Sequence, residues 1–248
     1  MEKKRIKTEL MIHDLKNPLA VIEAGINFLI DREDKYGPLT EKQLKVLQRT
    51  LRNTKIARGL VNDILEVGRS SEGVTKKNRF LLNEFLRFPL IEIFDLTDYR
   101  VADKIRECND LSTLRVILSE QGIDLIMEEN LWLKDFYLDL PKLKQILRNL
   151  MTNALKYRKK NVELEVATNN DKLFLSVSDD GEGIKKIYHQ KIFECYFQLD
   201  DEREHCIRGH GLGLAGVLIL VEDMGGEVKL DSDEGSGAKF SVSIPIDN

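Results

Sequence analysis

The sequence predicts an α-helical hairpin followed by an α/β sandwich with one helical layer. Residues 1–72 carry two long stretches with apolar positions at helical spacing and a turn between them. After residue 140, helical stretches mix with short runs of period-two hydrophobicity, mostly arranged as antiparallel strands. Composition allows both parts a core, because apolar residues make up 42% of the 248 residues.

Charge and cysteine use narrow the functional classes. Interleaved basic and acidic residues, 38 and 42, leave a net charge of -4, and nothing in that balance argues for nucleic acid or an anionic membrane surface, so neither is expected as partner. Three cysteines, Cys108, Cys195 and Cys206, form no disulfide framework and fit a reducing, cytoplasmic setting. The longest apolar run, Leu214 to Val221, includes Gly216 and is far shorter than the roughly 20 residues of a membrane span. Met1 to Arg5 is not followed by an uninterrupted apolar core, so no signal peptide is expected. The chain is expected to be soluble, and a membrane would enter only through a sensor region absent from it.

The first helix is expected over residues 3 to about 32, with Ile6, Leu10, Ile12, Leu15, Leu19, Ile22, Ile26 and Leu29 apolar. Asp31 to Pro38 is polar and ends in a turn signal. Thr40 and Gln43 form a capping-box pattern that opens a second helix. Its apolar positions are Leu44, Leu47, Leu51, Ala57, Val61 and Ile64, and it ends near Gly68 to Gly73. A lone hairpin cannot enclose its apolar stripe, whereas two copies can, as a four-helix bundle; a homodimer is expected. In the middle, Leu81 to Phe94 and Leu111 to Leu118 look helical, with Pro89 interrupting the first, and Ile123 to Ile126 reads as a strand. Pro141 opens a helix with Leu143, Ile146, Leu147, Leu150, Met151 and Leu155 apolar. Val162 to Thr168 and Leu173 to Ser178 alternate around Asn169-Asn170 as a hairpin. Gly211 to Met224 reads as a loop entering a helix, and Glu227 to Leu230 and Lys239 to Ile244 as strands.

Four clusters can carry chemistry. His13 lies in Met11-Ile12-His13-Asp14-Leu15-Lys16-Asn17-Pro18-Leu19. A neutral imidazole can attack a phosphate, and Asp14 can take the ring proton. Pro18 withholds a backbone donor and bends the helix after His13, and Asn17, one turn on, can orient a water. A bundle histidine beside a solvated acid fits the same residues. In the second cluster, Asn149, Asn153 and Lys156 share one helix face and Tyr157 follows. An asparagine oxygen suits Mg²⁺ and a lysine suits phosphate, although a polar stripe is also what a solvated face looks like. The third is Asp179-Asp180-Gly181-Glu182-Gly183-Ile184 at a strand end. Its carboxylate can accept from an adenine amino group and its glycines allow close backbone approach; an acidic turn is the plain alternative. The fourth, Gly209-His210-Gly211-Leu212-Gly213, leads into a helix N-terminus that can bind an anion, or is simply a flexible loop. Cys195, His205, Cys206 and His210 lie close in sequence, but their spacing matches no familiar zinc site, and His189 is expected on the surface.

Taken in order, these clusters resemble the core of sensor histidine kinases. His13 to Leu19 resembles the H-box, Asn149 to Tyr157 the N-box, Asp179-x-Gly181-x-Gly183 the first glycine box and Gly209-x-Gly211-Leu212-Gly213-Leu214 the second. Ile192 to Phe197 is similar to the F-box, and Gly235-Ser236-Gly237-Ala238 to the last glycine box. The resemblance implies a dimerisation and phosphotransfer hairpin over 1–72. It also implies an ATP-binding domain of the Bergerat (GHKL) type over 79–248, shared with gyrase, MutL and a class of heat-shock chaperones. It implies His13 as phospho-acceptor, Asp14 as its base and Asn17 as the residue used in phosphatase activity. Asn153 would hold Mg²⁺ with Asn149 supporting it, while Lys156 and Tyr157 would contact phosphate and ribose. Asp179 would read adenine. Gly181, Gly183, Ile184, Arg208, Gly209, Gly211, Leu212 and Gly213 would complete the ATP site under a lid at 195 to 210. The phosphate would pass to an aspartate on the receiver domain of a response regulator.

Departures from the family pattern concern the lid and the middle. Cys195 stands where proline is common, Gln198 where many members carry a basic residue, and Ala238 where threonine is common; Arg203 or Arg208 can substitute for the missing base. Phe80 to Gly122 is longer than usual by about 20 residues. Two other functions compete: a catalytically weak, nucleotide-binding dimeric scaffold that regulates a response regulator, and a relative of the gyrase or MutL ATPases. The H-box argues against the latter.

Overall fold

The computed structural model describes residues 8–70, 76–169, 171–194 and 213–246. It divides into two compact units, Met1–Ser71 and Glu72–Asn248.

The first unit is a helical hairpin of α1 (Thr8–Asp31), α2 (Glu33–Tyr36) and α3 (Glu41–Ser70). The single turn α2 occupies part of the segment expected to be only a polar turn. Gly37, at φ +80°, then lets the chain reverse. The capping box at the start of α3 is reciprocal: Thr40 N–H donates to Gln43 Oε1 at 2.9 Å and Gln43 N–H to Thr40 Oγ1 at 3.3 Å. Ile26 and Thr54 are buried in the hairpin, and Arg58 Nη1 donates to Glu23 Oε2 at 2.5 Å. At the turn end, Phe28 and Tyr36 meet edge to face at 5.8 Å. Leu15, Val21 and Ile22 of α1 and Val46 of α3 are exposed, so this unit alone leaves apolar surface in water.

The second unit opens with β1 (Asn78–Leu81), then α4 (Leu82–Thr97), α5 (Tyr99–Glu107) and α6 (Leu111–Ser119). Then come β2 (Ile123–Met127), β3 (Asp135–Leu138), α7 (Leu140–Tyr157), β4 (Val162–Thr168) and β5 (Lys172–Asp179). The last elements are α8 (Gly213–Asp223), β6 (Glu227–Ser232) and β7 (Ala238–Pro245). Five strands form the main sheet in the order β2-β4-β5-β7-β6, with β2 and β4 parallel and the other neighbours antiparallel. Alternation drives one face inward: Val162, Leu164 and Val166, Leu173, Leu175 and Val177, and Phe240, Val242 and Ile244 are all buried. The facing layer is Leu143, Ile146, Leu147, Leu150 and Met151 of α7 with Val217, Leu220 and Val221 of α8. Each such side chain contributes about 1.5–3 kcal/mol on burial.

Three features of the middle depart from expectation. Pro89 lies inside one continuous α4, because Phe85, Leu86, Leu90, Ile93 and Phe94 are buried on either side and packing holds the helix through the missing donor. α5 is an additional helix whose Asp98 cap accepts from Arg100 N–H at 3.0 Å. Arg87 of α4 closes its far end, Nε donating to Ile105 O at 3.1 Å and Nη2 to Arg106 O at 2.5 Å. β1 and β3 pair antiparallel in a separate two-stranded sheet, a pairing of two four-residue segments far apart in the chain.

Candidate functional site

The described part of the site is built where the end of α7, the end of β5 and the start of α8 converge. α7 begins at the Asp139 cap, and its apolar face fixes its roll against the sheet. That leaves Asn149, Asn153 and Lys156 half-buried along one side and Tyr157 exposed. Asn149 Nδ2 donates to Gly213 O at 3.2 Å, which attaches the first residue of α8 to the middle of α7. Lys156 Nζ donates to Tyr157 Oη at 2.9 Å and lies 4.6 Å from the centre of that ring.

Asp179 is the last residue of β5, opposite Ala238 on β7. Its Oδ1 accepts from Gly181 N–H at 2.8 Å. Burial raises the Asp179 pKa; backbone hydrogen bonds from Gly181 and Ala238 oppose this, and neighbouring Asp180 adds to it. A half-buried carboxylate with remaining acceptor capacity favours a donor ligand over water.

Asp180 does something different. Its carboxylate accepts from the N–H groups of Lys159 at 2.8 Å, Lys160 at 2.9 Å and Asn161 at 3.0 Å, and so holds the turn that leaves α7. Those bonds, the one from Lys160 first, lower its pKa. The glycines then close the turn on the protein itself. A Cβ on Gly181 would lie 2.4 Å from Tyr157 O, and one on Gly237, at φ +76°, 1.9 Å from Asp179 O. Gly183, at φ +71°, abuts Asp233 O in the same way, at 1.9 Å. Buried Ser232 links the two sides: its hydroxyl accepts from Ile184 N–H at 2.8 Å and donates to Gly237 O at 2.6 Å.

The structure therefore brings Asn149, Asn153, Lys156 and Tyr157 together with Asp179, Gly181, Gly183, Ile184 and Gly213 in one unit. Arg208, Gly209, Gly211 and Leu212 lie outside the described residues, as do Cys195, Gln198, Arg203, His205, Cys206 and His210. His13, Asp14 and Asn17 are on α1 of the other unit, where Asn17 is exposed. His189, expected on the surface, is half-buried, with Nε2 donating to Ile184 O at 2.9 Å. Asp180, Ser232 and His189 escape sequence reasoning because their partners are backbone groups, which leave no residue pattern; only the glycine motifs beside them mark the place. Among the described residues no helix is long and apolar enough to cross a membrane.

Comparison with known proteins bears on the whole chain. Residues 10–73 match the family model of the His Kinase A (phospho-acceptor) domain, and residues 138–248 that of the histidine kinase-, DNA gyrase B- and HSP90-like ATPases. The sensor histidine kinase WalK of Bacillus subtilis is 27% identical over 94% of this chain and 35% of its own length. The circadian input-output histidine kinase CikA of Synechococcus elongatus is 30% identical over 95% of this chain and 29% of its own. The adaptive-response sensory kinase SasA of Crocosphaera subtropica is 26% identical over 96% of this chain and 58% of its own. The chain thus spans between about a third and somewhat over half of these relatives. Among solved structures, full-length ShkA in complex with AMPPNP has a TM-score of 0.66 at 23% identity, covering 96% of this chain and 45% of that one. The Acinetobacter baumannii histidine kinase AdeS has a TM-score of 0.57 at 18% identity, covering 95% of this chain and 98% of that one. Both likenesses concern the fold: a helical region followed by an α/β ATPase domain of the GHKL type. With both domain models matched in this order, the chain belongs to the sensor histidine kinases.

Proposed function

We propose that the chain is an ATP-dependent protein-histidine kinase that phosphorylates His13 and passes the phosphoryl group to an aspartate of a response regulator receiver domain. The observation that carries this reading is the joint presence of the phospho-acceptor domain at 10–73 and the ATPase-like domain at 138–248. ATP is the substrate, and the geometry around Asp179 supports its binding. The half-buried carboxylate accepts from the adenine amino group, and that hydrogen bond offsets the desolvation that raises its pKa. Tyr157 and Lys156 lie next to that turn, since Gly181 abuts the Tyr157 carbonyl. They would contact ribose and phosphate. Gly183 and Ile184 shape the wall beside the base, and Arg208, Gly209, Gly211, Leu212 and Gly213 take the phosphates.

Asn153 would hold Mg²⁺, with Asn149 in support. Asn153 is half-buried on the same face of α7 as Asn149 and Lys156, and a neutral amide oxygen there suits a cation held by few protein oxygens together with substrate phosphates. The metal would neutralise charge on the phosphates when bound. Catalysis is then chiefly positioning and charge stabilisation. A ring nitrogen of His13 forms the bond to the γ-phosphorus, the bond from phosphorus to the β–γ bridging oxygen breaks, and ADP departs. Asp14 takes the proton from the other ring nitrogen. Asn17 orients the water that hydrolyses the regulator's aspartyl phosphate, releasing inorganic phosphate in the opposing phosphatase reaction. The exposed Leu15, Val21, Ile22 and Val46 support a homodimer through the hairpin.

Incubation with γ-labelled ATP tests the reading. Acid-labile, base-stable label on His13, absent from His13→Gln, is expected. Nucleotide binding without label would instead indicate the regulatory scaffold.

A further inference from the structure

The nucleotide reading leaves one buried ionic cluster unused. Lys142, on the first turn of α7, is 2% exposed and Asp139, the cap of that helix, 3%. Lys142 Nζ pairs with the carboxylate of Asp223, the last residue of α8, and lies 3.8 Å from Asp139 Oδ2. Asp139 divides its oxygens. Oδ1 accepts from Lys142 N–H at 3.2 Å, and Oδ2 accepts from Lys76 N–H at 2.9 Å. One cation and two carboxylates thus join the start of α7, the end of α8 and the stretch of chain just past the hairpin.

Buried ion pairs are poor sources of stability, because desolvation offsets their attraction, but unlike apolar contacts they require their partners in one geometry. Apolar contacts of Val217, Leu220 and Val221 would hold α8 against α7 but tolerate sliding. The polar contacts do not: Asn149 holds Gly213 at one end of α8 and Lys142 holds Asp223 at the other. A helix of 11 residues moves as one body. We infer that Asp139, Lys142 and Asp223 are positioning residues. They fix α8 to the backbone at Lys76, so that movement of the chain at Lys76 is felt at Gly213, where α8 begins, and through it in nucleotide binding. This rests on the proposed reading of the loop before Gly213 as a phosphate loop.

The test uses the full chain with Lys142→Arg, with Asp223→Asn and with the paired Lys142→Met/Asp223→Leu, which removes a cation and an anion together. Amide hydrogen exchange is read at Lys76 to Arg79 and at Leu214 to Val217, and ADP affinity is measured. In the paired variant, exchange should rise at least tenfold in both segments and ADP should bind about tenfold more weakly, while Lys142→Arg stays within about twofold of the parent chain. Asp223→Asn should show the same pattern at lower amplitude, and it decides the matter if the paired variant fails to fold. Exchange that rises only in the last turn of α8, with Lys76 to Arg79 unchanged, overturns the coupling. If the parent chain binds no ADP, the nucleotide reading falls instead, and the exchange comparison still decides whether the cluster joins the two segments.

Discussion

Gly183→Ala and Gly235→Ala form a matched pair that isolates what the first glycine box requires. Both glycines have positive φ, +71° and +88°. Alanine at either position takes on the left-handed backbone penalty of roughly 1–2 kcal/mol. Around Gly235 a new Cβ meets nothing within 4 Å, so strain is the whole effect. At Gly183 it would meet Asp233 O at 1.9 Å and Gly237 O at 3.0 Å, both backbone atoms that cannot rotate away. Forcing these apart adds an overpacking term of about 1–3 kcal/mol, for a total of roughly 2–5 kcal/mol. At about 2–4 °C per kcal/mol for a domain of this size, Tm should fall by roughly 2–8 °C for Gly235→Ala and about 4–20 °C for Gly183→Ala. Calorimetry on the full chain, following the transition that nucleotide shifts upward, measures both. Equal losses in the two variants would refute the claim that backbone contact, rather than φ alone, demands glycine at 183.

Other sites give separate tests. Asp179→Ala should weaken ADP binding by roughly 10–150-fold, the worth of a hydrogen bond to a charged group, as read by titration calorimetry; an unchanged affinity removes Asp179 from adenine recognition. Its pKa is raised above 3.8, so ionised Asp179 disfavours the empty folded state at neutral pH. As pH falls through the raised value that penalty is relieved, while the charge-assisted bond to adenine is lost, and ADP affinity should drop before ordinary carboxylates titrate. Asn153→Ala should abolish the Mg²⁺ dependence of nucleotide binding and leave the sedimenting dimer intact; unchanged autophosphorylation would contradict the metal assignment. Thr40→Ala removes one half of a reciprocal cap and should destabilise the hairpin by about 0.5–2 kcal/mol, seen as a lower melting point of helical circular dichroism.

What was legible in the sequence follows from how far apart the determinants lie. α7 and the β4–β5 hairpin are readable because their apolar periodicity and their turn lie within one stretch of chain. The start of α3 is readable because Thr40 and Gln43 bond each other. α5 is hard to read, since only Val101, Ala102 and Ile105 are buried in a helix otherwise polar. The pairing of β1 with β3 joins Asn78 to Leu138, far apart in the chain, and although β3 alternates exposed and buried residues, a four-residue run is too short to name its partner. Pro89 misleads because local propensity at a proline gives way to burial of the five large side chains around it. In the candidate site, side chains suited to ligands stand out by type, whereas Asp180, Ser232 and Lys142 act on backbone or on charges far along the chain.

That division changes what the glycine motifs say. A glycine near a proposed nucleotide suggests room for the ligand, yet Gly181, Gly183 and Gly237 are filled from behind by Tyr157 O, Asp233 O and Asp179 O. Their lack of a side chain lets three backbone segments touch. Asp180 holds the turn after α7 through three N–H groups, and Ser232 bridges Ile184 to Gly237. With those closures made, Asp179 stands half-buried at a strand end with its neighbours fixed. Loosening any of them would free the carboxylate to rehydrate and return its pKa toward the ordinary value. The closures and the acceptor are therefore one device, and a substitution at Ser232, which touches no proposed ligand atom, should weaken adenine binding through Asp179. Ser232→Ala removes an acceptor and a donor from a buried network, so about 1–3 kcal/mol of local stability is at stake. Titration of Asp179 by carboxyl NMR in that variant reads the effect directly. A pKa that stays as far raised as in the parent chain would show that the turn holds without Ser232.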